Sequence, residues 1–387
     1  VRRVQDGETV DPVWAAAYCA LEQMHYPQVA QALKGLSPRE DEIGPALAHA
    51  LYADEKGAYT TPITGLETLA RCPFRHFMER GLHLAPADEF GKTPIDEGNY
   101  YHAVLQHFLL LYRDRTLTRE QCRSAVDKLC QAYEAREYLS GPYAQDARAS
   151  LQAEKQRDSL YKAAWMLCRQ KQSGQFVPQD TEVPCRIRVP LTNGAEGIAN
   201  GVIDRIDLKR EGGTSYVRVV DYKSGSVSQA DLTRFACGTS LQLPLYLQMA
   251  AQKKQAAPSA MALSAVRASV QEDDPQHAEE DLSAQKLKGY YTAHGVEDRA
   301  LSTQSAGRLL TDEQMAQVLS DSLAVTASLF ETLSQGHTAP YPLKGAVDGC
   351  QYCAFANACG YLSGVTPHRT VRKVSLSKEE DSHDPNA

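Results

Sequence analysis

Two consecutive β-strands joined by a double glycine constrain the fold of this chain more than any other feature of its sequence. From Ile198 to Leu208 and from Ser215 to Tyr222, β-branched and apolar residues alternate with polar ones. This alternation is typical of strands that bury one face. Gly212 and Gly213 lie between the two segments and provide the turn of a β-hairpin. We therefore predict an antiparallel hairpin inside a β-sheet core.

The rest of the chain alternates between strand-like and helix-like segments. Further strands are predicted at Glu182–Val189, before the hairpin, and at Ala260–Ser269, after it. Apolar residues recur at helical spacing in Asp11–Leu51, Tyr100–Tyr112, Arg119–Tyr138, Leu241–Gln252 and Thr311–Ser334. Two segments, Gln271–Asp281 and Ser375–Ala387, are charged and predicted to be loosely ordered. The pattern predicts an α/β protein in which helices flank a sheet.

The composition excludes several classes of protein. With 387 residues, 43% of them hydrophobic, the chain can bury a full core as one large domain or two ordinary ones. No stretch reaches the roughly 18 apolar residues of a membrane span, and no secretory signal opens the chain. We therefore expect a cytoplasmic protein with no membrane partner. The net charge of −7 argues against a simple basic DNA-coating protein.

Acidic and basic side chains converge on the hairpin. Asp221 and Lys223 are two residues apart on one strand, so they share a face. On the preceding strand Asp204 and Asp207 are three apart and face opposite sides, and we assign Asp204 to the site. Two carboxylates on neighbouring strands can bind Mg²⁺ or Mn²⁺ through oxygen, and a lysine beside them suits phosphodiester hydrolysis. The alternative is a solvent-facing hairpin with a salt bridge.

Residues on two predicted helices can complete this site. His102 lies near the start of a helix and can act as a further metal ligand. Gln242 and Tyr246 are four residues apart on another helix, where an amide and a phenol could bind a phosphate or support the lysine. Pro244 between them requires that this helix begin close by. Each residue alone could equally be a packing or surface residue.

Three cysteines near the C-terminus indicate a second metal site. Cys350, Cys353 and Cys359 form a C-x2-C-x5-C pattern, and thiolates this close in sequence favour either a structural zinc or an iron-sulfur cluster. Six single cysteines stand in apolar or mixed surroundings and are expected to be structural: Cys19, Cys122, Cys130, Cys168, Cys185 and Cys237.

The order of these segments resembles the motifs of RecB-type nucleases. Along the chain run Gly98 with His102, then Glu182, then GVIDRID, VVDYKSG and LQLPLYL. The resemblance implies a PD-(D/E)xK, restriction-endonuclease-like core with a mixed central sheet flanked by helices. It also implies three metal ligands, a catalytic lysine and a supporting pair, which are His102, Asp204 and Asp221, then Lys223, then Gln242 and Tyr246. Gln106 stands where an acidic residue is expected, and Glu182 matches by one letter only.

A fourth cysteine extends the resemblance. Cys72 in RCPFRHF resembles the first cysteine of AddB-like subunits and of CRISPR-associated exonucleases, in which one cysteine before and three after the nuclease motifs hold a [4Fe-4S] cluster. The resemblance implies that Cys72, Cys350, Cys353 and Cys359 hold this cluster and staple the domain. It covers about residues 61 to 360.

The AddB-like family is favoured over the CRISPR-associated one. The chain starts at Val1, its first residues are helical, and a long insert separates His102 from Glu182. These features predict a helical remnant of a preceding region (1–60), the iron-sulfur nuclease domain (61–364) and a charged tail (365–387). No phosphate-binding glycine loop is present, so a motor would lie elsewhere.

The implied function is DNA end processing. The resemblance implies a metal-dependent exonuclease of a helicase-nuclease complex that acts at double-strand breaks, cuts the 5′-ended strand and assembles with an AddA-type subunit. The alternatives are a stand-alone iron-sulfur exonuclease and a non-catalytic DNA-end-binding module. DNA, single-stranded or unwound, is expected to follow a basic channel around Arg71, Arg75 and a helix that carries Arg148, Lys155, Arg157, Lys162, Arg169 and Lys171.

Overall fold

The fold was analysed in a computed structural model. It describes residues 10–24, 42–85, 91–225, 231–267, 285–297, 301–303, 308–363 and 366–374. The two segments predicted to be loosely ordered, 271–281 and 375–387, lie outside these residues.

A mixed seven-stranded sheet forms the centre of the described structure. Its order is β1-β3-β4-β5-β6-β7, and β2 pairs with the remaining edge of β3. The strands are β1 (Tyr59–Pro62), β2 (Val177–Pro190), β3 (Glu196–Glu211), β4 (Thr214–Lys223), β5 (Ala257–Ala265), β6 (Leu287–Tyr291) and β7 (Ser302–Thr303). The β1–β3, β4–β5 and β6–β7 pairs are parallel, and the β2–β3, β3–β4 and β5–β6 pairs are antiparallel. The predicted mixed sheet is confirmed.

The predicted hairpin is formed by β3 and β4. Glu211 pairs with Thr214 across Gly212 and Gly213, whose φ angles are 56° and 83°. Positive φ at both turn residues is the geometry of a two-residue hairpin loop, and glycine adopts it without strain. The double glycine therefore fixes the register that brings the two acidic strands together.

Strand β3 is longer than its neighbours, and this creates a gap in the sheet. Residues Gly197–Asn200 pair with β1, and Arg205–Glu211 pair with β4. Because β2 occupies the other edge of β3, β1 and β4 lie end to end along the same edge. Residues 201–204 lie between them, and Asp204 marks the point where β4 begins to pair.

Helices surround the sheet, close to where the sequence predicts them. They are α1 (Pro12–Gln23), α2 (Gly44–Tyr52), α3 (Ile63–Arg71), α4 (Pro73–His76), α5 (Pro94–Tyr112), α6 (Arg119–Tyr133), α7 (Ala147–Ser173), α8 (Leu232–Ala236), α9 (Gln242–Lys254) and α10 (Asp312–Gln335). The segment predicted as one helix from Arg119 ends as a π-helical turn, Glu134–Tyr138. No helix of the described residues is long and apolar enough to cross a membrane.

The two faces of the sheet bury separate apolar clusters. One cluster joins the sheet to α3, α9 and α10, and the other joins it to α5, α6 and α7. Successive residues of β4 serve opposite faces: Val219 belongs to the first cluster and Val220 to the second. The sheet is therefore sandwiched between helices, and its central strands can carry side chains toward both layers.

The C-terminal segment makes a small second sheet. Strand β8 (Leu343–Gly345) pairs in parallel with β9 (Arg369–Val371). Arg369 also donates a hydrogen bond of 2.6 Å to the carbonyl of Ala70 at the end of α3. These contacts join residues after position 364 to the preceding structure. The domain boundary at residue 364 stays a prediction.

Candidate active site

Two aspartates meet on the central strands. Asp204 of β3 and Asp221 of β4 are both almost fully buried, with 6% and 3% of their surface exposed. The backbone N–H of Tyr222 donates to Asp204 Oδ2 at 2.6 Å, which fixes the carboxylate of one strand against the backbone of the other. The hairpin register therefore holds the two carboxylates side by side.

The lysine on β4 lies beside these carboxylates. Lys223 Nζ lies 2.5 Å from Asp221 Oδ2 and donates to Gln242 Oε1 at 3.0 Å. Gln242 in turn donates to the hydroxyl of Tyr246, 3.5 Å away. Burial opposes the charged form of the lysine, but the Asp221 carboxylate raises its pKa overall. The structure thus brings the residues assigned from the sequence into one chain of polar contacts.

A histidine and two carboxylates form a group able to bind a metal ion. Ligand atoms of His102, Glu182 and Asp204 lie within 4.8 Å of one another. His102 Nδ1 is 3.2 Å from Glu182 Oε1 and 3.5 Å from Asp204 Oδ1. Imidazole nitrogen and carboxylate oxygen are suitable ligands for a divalent cation. His102 reaches the site from α5, on the sheet face opposite α9.

The electrostatics of this group favour a bound cation. Burial raises the pKa of Asp204 to about 7, and the neighbouring Asp221 carboxylate adds to the effect. Burial also disfavours the charged form of His102, yet the hydrogen bond with Glu182 and the charge of Asp204 raise its pKa overall. Buried carboxylates so close together repel each other unless a positive charge lies between them. A divalent ion would supply that charge.

Glu182 owes its position to an irregular backbone. Its φ of 50° is left-handed, which is unusual for a residue with a side chain in a strand. The β2–β3 register passes from Thr181 opposite Arg205 to Val183 opposite Ile203. Such backbone strain is commonly found at functional sites. Glu182, which had the least support from the sequence, is therefore one of the three residues of the candidate metal group.

Gly201 in the GVID motif allows α9 to approach the sheet. A Cβ at this position would lie 2.7 Å from Cε1 of Tyr246 and 2.9 Å from Cδ1 of Ile63. Real Cβ atoms do not approach carbon so closely, so a side chain here would displace Tyr246. The glycine therefore positions the helix that carries Gln242.

Sequence reasoning missed the residue that anchors the start of α9. Glu67 of α3 is buried, and its Oε1 accepts hydrogen bonds from the backbone N–H of Leu241 at 2.7 Å and of Gln242 at 3.3 Å. Burial raises the pKa of this carboxyl group. A glutamate inside an apolar helix, as in the segment ITGLETLA, was the available signal.

Asp207 takes part in a buried ionic cluster behind the site. Arg205 Nε lies 2.8 Å and Arg218 Nη2 lies 2.6 Å from its carboxylate. Arg205 also donates a hydrogen bond of 3.1 Å to the hydroxyl of Tyr222. The backbone N–H of the same tyrosine donates to Asp204. The predicted separation of Asp204 and Asp207 to opposite sides is thus what the structure shows.

The cysteine region lies at the ends of α3 and β8. Burial raises the pKa of the Cys72 thiol, although backbone hydrogen bonds from Arg75 and Tyr341 favour its thiolate. Burial also raises the pKa of the Cys350 thiol, although the ammonium of Lys344 favours its thiolate. Cys359 Sγ accepts a hydrogen bond of 3.4 Å from the N–H of Tyr361. Thiols that receive backbone N–H groups suit metal or cluster ligation.

A close backbone contact brings the distant cysteines together. A Cβ on Gly349 would lie 2.4 Å from the carbonyl oxygen of Arg71, so only glycine fits here. Gly349 and Arg71 directly precede Cys350 and Cys72. The pairing of a cysteine before the nuclease motifs with one after them, which the resemblance implied, therefore has a geometric basis.

Arg71 and Arg75 lie in this cysteine region. Arg71 Nη2 donates to the carbonyl of Thr239 at 3.2 Å, and Arg75 Nε lies 2.7 Å from Glu79. Both arginines thus have protein partners, and their role in DNA binding stays a prediction.

Most of the single cysteines are structural. Cys122, Cys130, Cys168 and Cys185 are buried, as expected, and Cys237 is partly exposed. Cys19 is exposed on α1, so the expectation of a structural role through core packing is wrong for this residue.

Fold and site together define a class of protein. The family model for the PD-(D/E)XK nuclease superfamily matches residues 62–360. The chain therefore belongs to this superfamily. The matched range includes strands β2 to β8, the His102 helix and all four cysteines assigned to the cluster.

The similar proteins are more specific. The chain is 25% identical to the B subunit of the ATP-dependent helicase/deoxyribonuclease of Desulfitobacterium hafniense, over 98% of its own length and 36% of the relative's. It is 27% identical to the protein of that name from Desulforamulus reducens, over 93% and 35% of the two lengths. With the protein of that name from Pelotomaculum thermopropionicum the identity is 31%, over 65% and 22%. The chain spans about a third of the length of the first two relatives.

Proposed function

We propose that this chain is the nuclease part of an AddB-type helicase-nuclease protein and hydrolyses DNA phosphodiester bonds with Mg²⁺ or Mn²⁺. The observation that carries the proposal is the convergence of His102, Glu182 and Asp204 with the Asp221–Lys223 pair. Membership of a nuclease superfamily supports the reaction class. A decorative site in a non-catalytic DNA-end-binding module would have no need to bury two carboxylates beside a charged lysine, because unpaired burial of charge is costly.

His102, Asp204 and Asp221 would hold the ion, and Glu182 lies within reach to add a further oxygen ligand. A divalent ion supplies Lewis-acid charge that neutralises the scissile phosphate and acidifies a nearby water molecule. The protein's own contribution is to hold these ligands on rigid strands. The Tyr222 N–H fixes Asp204, so the ligands need no reorganisation when an ion binds.

Lys223 provides a fixed positive charge at the site. Its ammonium is held between Asp221 and Gln242, and its raised pKa keeps it protonated at neutral pH. From there it can donate a hydrogen bond to the attacking water or to a phosphate oxygen on which negative charge develops. Gln242 and Tyr246 orient the lysine through their chain of hydrogen bonds.

The biological setting follows from the similar proteins. Relatives named as the B subunit of a helicase/deoxyribonuclease align with 93% to 98% of this chain. This coverage supports an AddB-type protein over a stand-alone CRISPR-associated-type exonuclease. We therefore infer action on single-stranded or unwound DNA at double-strand breaks in the cytoplasm, together with an AddA-type helicase-nuclease partner. Cutting of the 5′-ended strand is part of the same inference.

A [4Fe-4S] cluster on Cys72, Cys350, Cys353 and Cys359 completes the proposal. The donor set fits, because Cys72 and Cys359 receive backbone N–H groups and the residues preceding Cys72 and Cys350 are in close backbone contact. In our proposal the cluster acts as a structural pin, and zinc is the alternative occupant. Iron and sulfide analysis of the purified protein distinguishes the two.

The proposal is tested with the purified chain and a labelled single-stranded oligonucleotide. We expect degradation that requires Mg²⁺ or Mn²⁺ and disappears with EDTA. Asp221→Ala should abolish it while the melting temperature stays near that of the wild type. Asp158→Ala, an exposed carboxylate on α7, serves as the control and should cut normally. Undiminished cutting by Asp221→Ala would refute the assigned site.

A further inference from the structure

A basic groove lies beside the candidate active site, between α5, α7 and the segment after β5. It encloses about 320 Å³. Its walls include six residues that matter here, which are Glu97, Tyr101, Arg148, Leu151, Lys155 and Arg267. We refer to these residues as the α5–α7 groove.

Positive charge in the groove exceeds negative charge. Arg148 and Lys155 are exposed on α7 and, within the described part of the chain, neither side chain forms an ion pair. Arg267 is 64% exposed and lies 3.9 Å from Glu97. The side-chain amide of Gln152 also donates to Glu97. Three cations therefore face one carboxylate that already has two partners.

The groove is connected to the candidate site through the backbone of α5 and β5. Tyr101 precedes His102 on α5, and Arg267 follows β5 by two residues. The N–H of Val266, next to Arg267, donates to the carbonyl of Lys223 at 2.9 Å. Two residues of the groove are thus sequence neighbours of residues that contact the site: Tyr101 adjoins His102, and Arg267 adjoins Val266, which is hydrogen-bonded to Lys223.

The spacing of the cations suits a nucleic acid strand. Arg148 and Lys155 are seven residues apart on one helix, which places them about 10 Å apart along its axis. That distance corresponds to about three stacked nucleotides of one strand. Leu151 lies between them and is 55% exposed, so an apolar surface is available to a base. Helix α7 belongs to the long insert between His102 and Glu182.

We infer that the α5–α7 groove binds the phosphate backbone of a single DNA strand on one side of the bond to be cut. This inference rests on the proposed function and adds to it a subsite. The insert would then hold the strand so that the next phosphodiester lies at the metal site. Two exposed cations without an ion pair among the described residues, next to a third that shares Glu97, favour a polyanionic ligand, because like charges repel.

The test measures binding separately from cutting. Binding of a fluorescent single-stranded oligonucleotide to the purified chain is followed in EDTA at several salt concentrations. Replacing both cations (Arg148→Ala with Lys155→Ala) should weaken binding about tenfold or more. It should also reduce the slope of log K against log salt by about 1.4, because each phosphate contact with a single strand contributes about 0.7.

The matched control removes two cations outside the groove. Lys128 on α6 and Arg210 on β3 are exposed, and Lys128→Ala with Arg210→Ala changes the net charge equally. We expect this control to bind with the affinity and slope of the wild type. Equal losses in both double variants, or no loss in the groove variant, would overturn the inference. Failure of the wild type to cut DNA with Mn²⁺ would instead refute the proposed function, since that assay does not involve the variants.

Discussion

The candidate active site and the cysteine region are built in opposite ways. In the active site, adjacent strands of one hairpin carry Asp204, Asp221 and Lys223, so sheet register determines their distances. In the cysteine region, residues about 280 positions apart in sequence meet at turns and helix ends, where the Gly349–Arg71 contact holds them. The first site inherits its rigidity from the fold, whereas the second, with the proposed cluster bound, would give the fold an additional closure. Loss of a ligand should therefore affect activity in one region and stability in the other.

The largest expected effect tests the closure. Cys350→Ser should give a protein without iron, because one ligand of the proposed cluster is lost. A cross-link over a loop of this length removes on the order of 5 kcal/mol of unfolded-state freedom in the chain-entropy model. That is comparable to the stability of a whole domain. We expect a much lower melting temperature and rapid limited proteolysis.

The control for this comparison is Cys19→Ser, since Cys19 is exposed and lies far from the cluster residues in sequence. It should melt like the wild type. If Cys350→Ser lacks iron but melts and resists protease normally, the cluster is not a pin, and the contrast between the two regions fails.

The second prediction concerns the active site. Lys223→Ala should lower kcat about 100-fold or more, the usual effect of removing a group that stabilises developing charge. Its melting temperature should fall moderately, because the lysine side chain is 41% exposed but its removal leaves the buried Asp221 carboxylate without a counter-charge. Initial rates and thermal melting measured together check both parts. Lys128→Ala is the control, and a large loss of stability in Lys223→Ala without a loss of kcat would reverse the assignment.

A smaller effect distinguishes Glu182 from its neighbours. Glu182→Gln keeps the size of the side chain but weakens it as a ligand, so about tenfold more Mg²⁺ should be needed for half-maximal cutting. Asp180→Asn on the same strand, where Asp180 pairs with Lys254, is the control and should leave this requirement unchanged. If the two variants need equal Mg²⁺, Glu182 does not contact the ion.

Patterns with a short period were predictable from the sequence, and long-range contacts were not. Alternation on β4 places Asp221 and Lys223 on one face, and the double glycine fixes the hairpin. For Glu67 the sequence offered the signal of a glutamate inside an apolar helix but not its role, because that role depends on where α9 begins in space. Glu182 has little support from the sequence because it matches the family pattern by one letter only, and its left-handed backbone cannot be read from the sequence. The pairing of Cys72 with the C-terminal cysteines came from the family resemblance. The spacing of the three C-terminal cysteines alone left both zinc and an iron-sulfur cluster open.

The smallest predicted effect asks whether the cysteine region also touches DNA. Arg75 is held by Glu79 at 2.7 Å, with both side chains about a quarter exposed or less. If Arg75 contacts one phosphate, Arg75→Ala should lower the salt slope of single-strand binding by about 0.7 and weaken binding less than tenfold. Glu79→Gln should do the opposite, because it removes a competing carboxylate while keeping the arginine. Opposite shifts of the salt slope in the two variants would show that the cysteine region contacts DNA. The proposed cluster would then stabilise a DNA-binding surface in addition to the fold. If both variants bind DNA like the wild type, the cysteine region contributes to stability and does not contact DNA through Arg75.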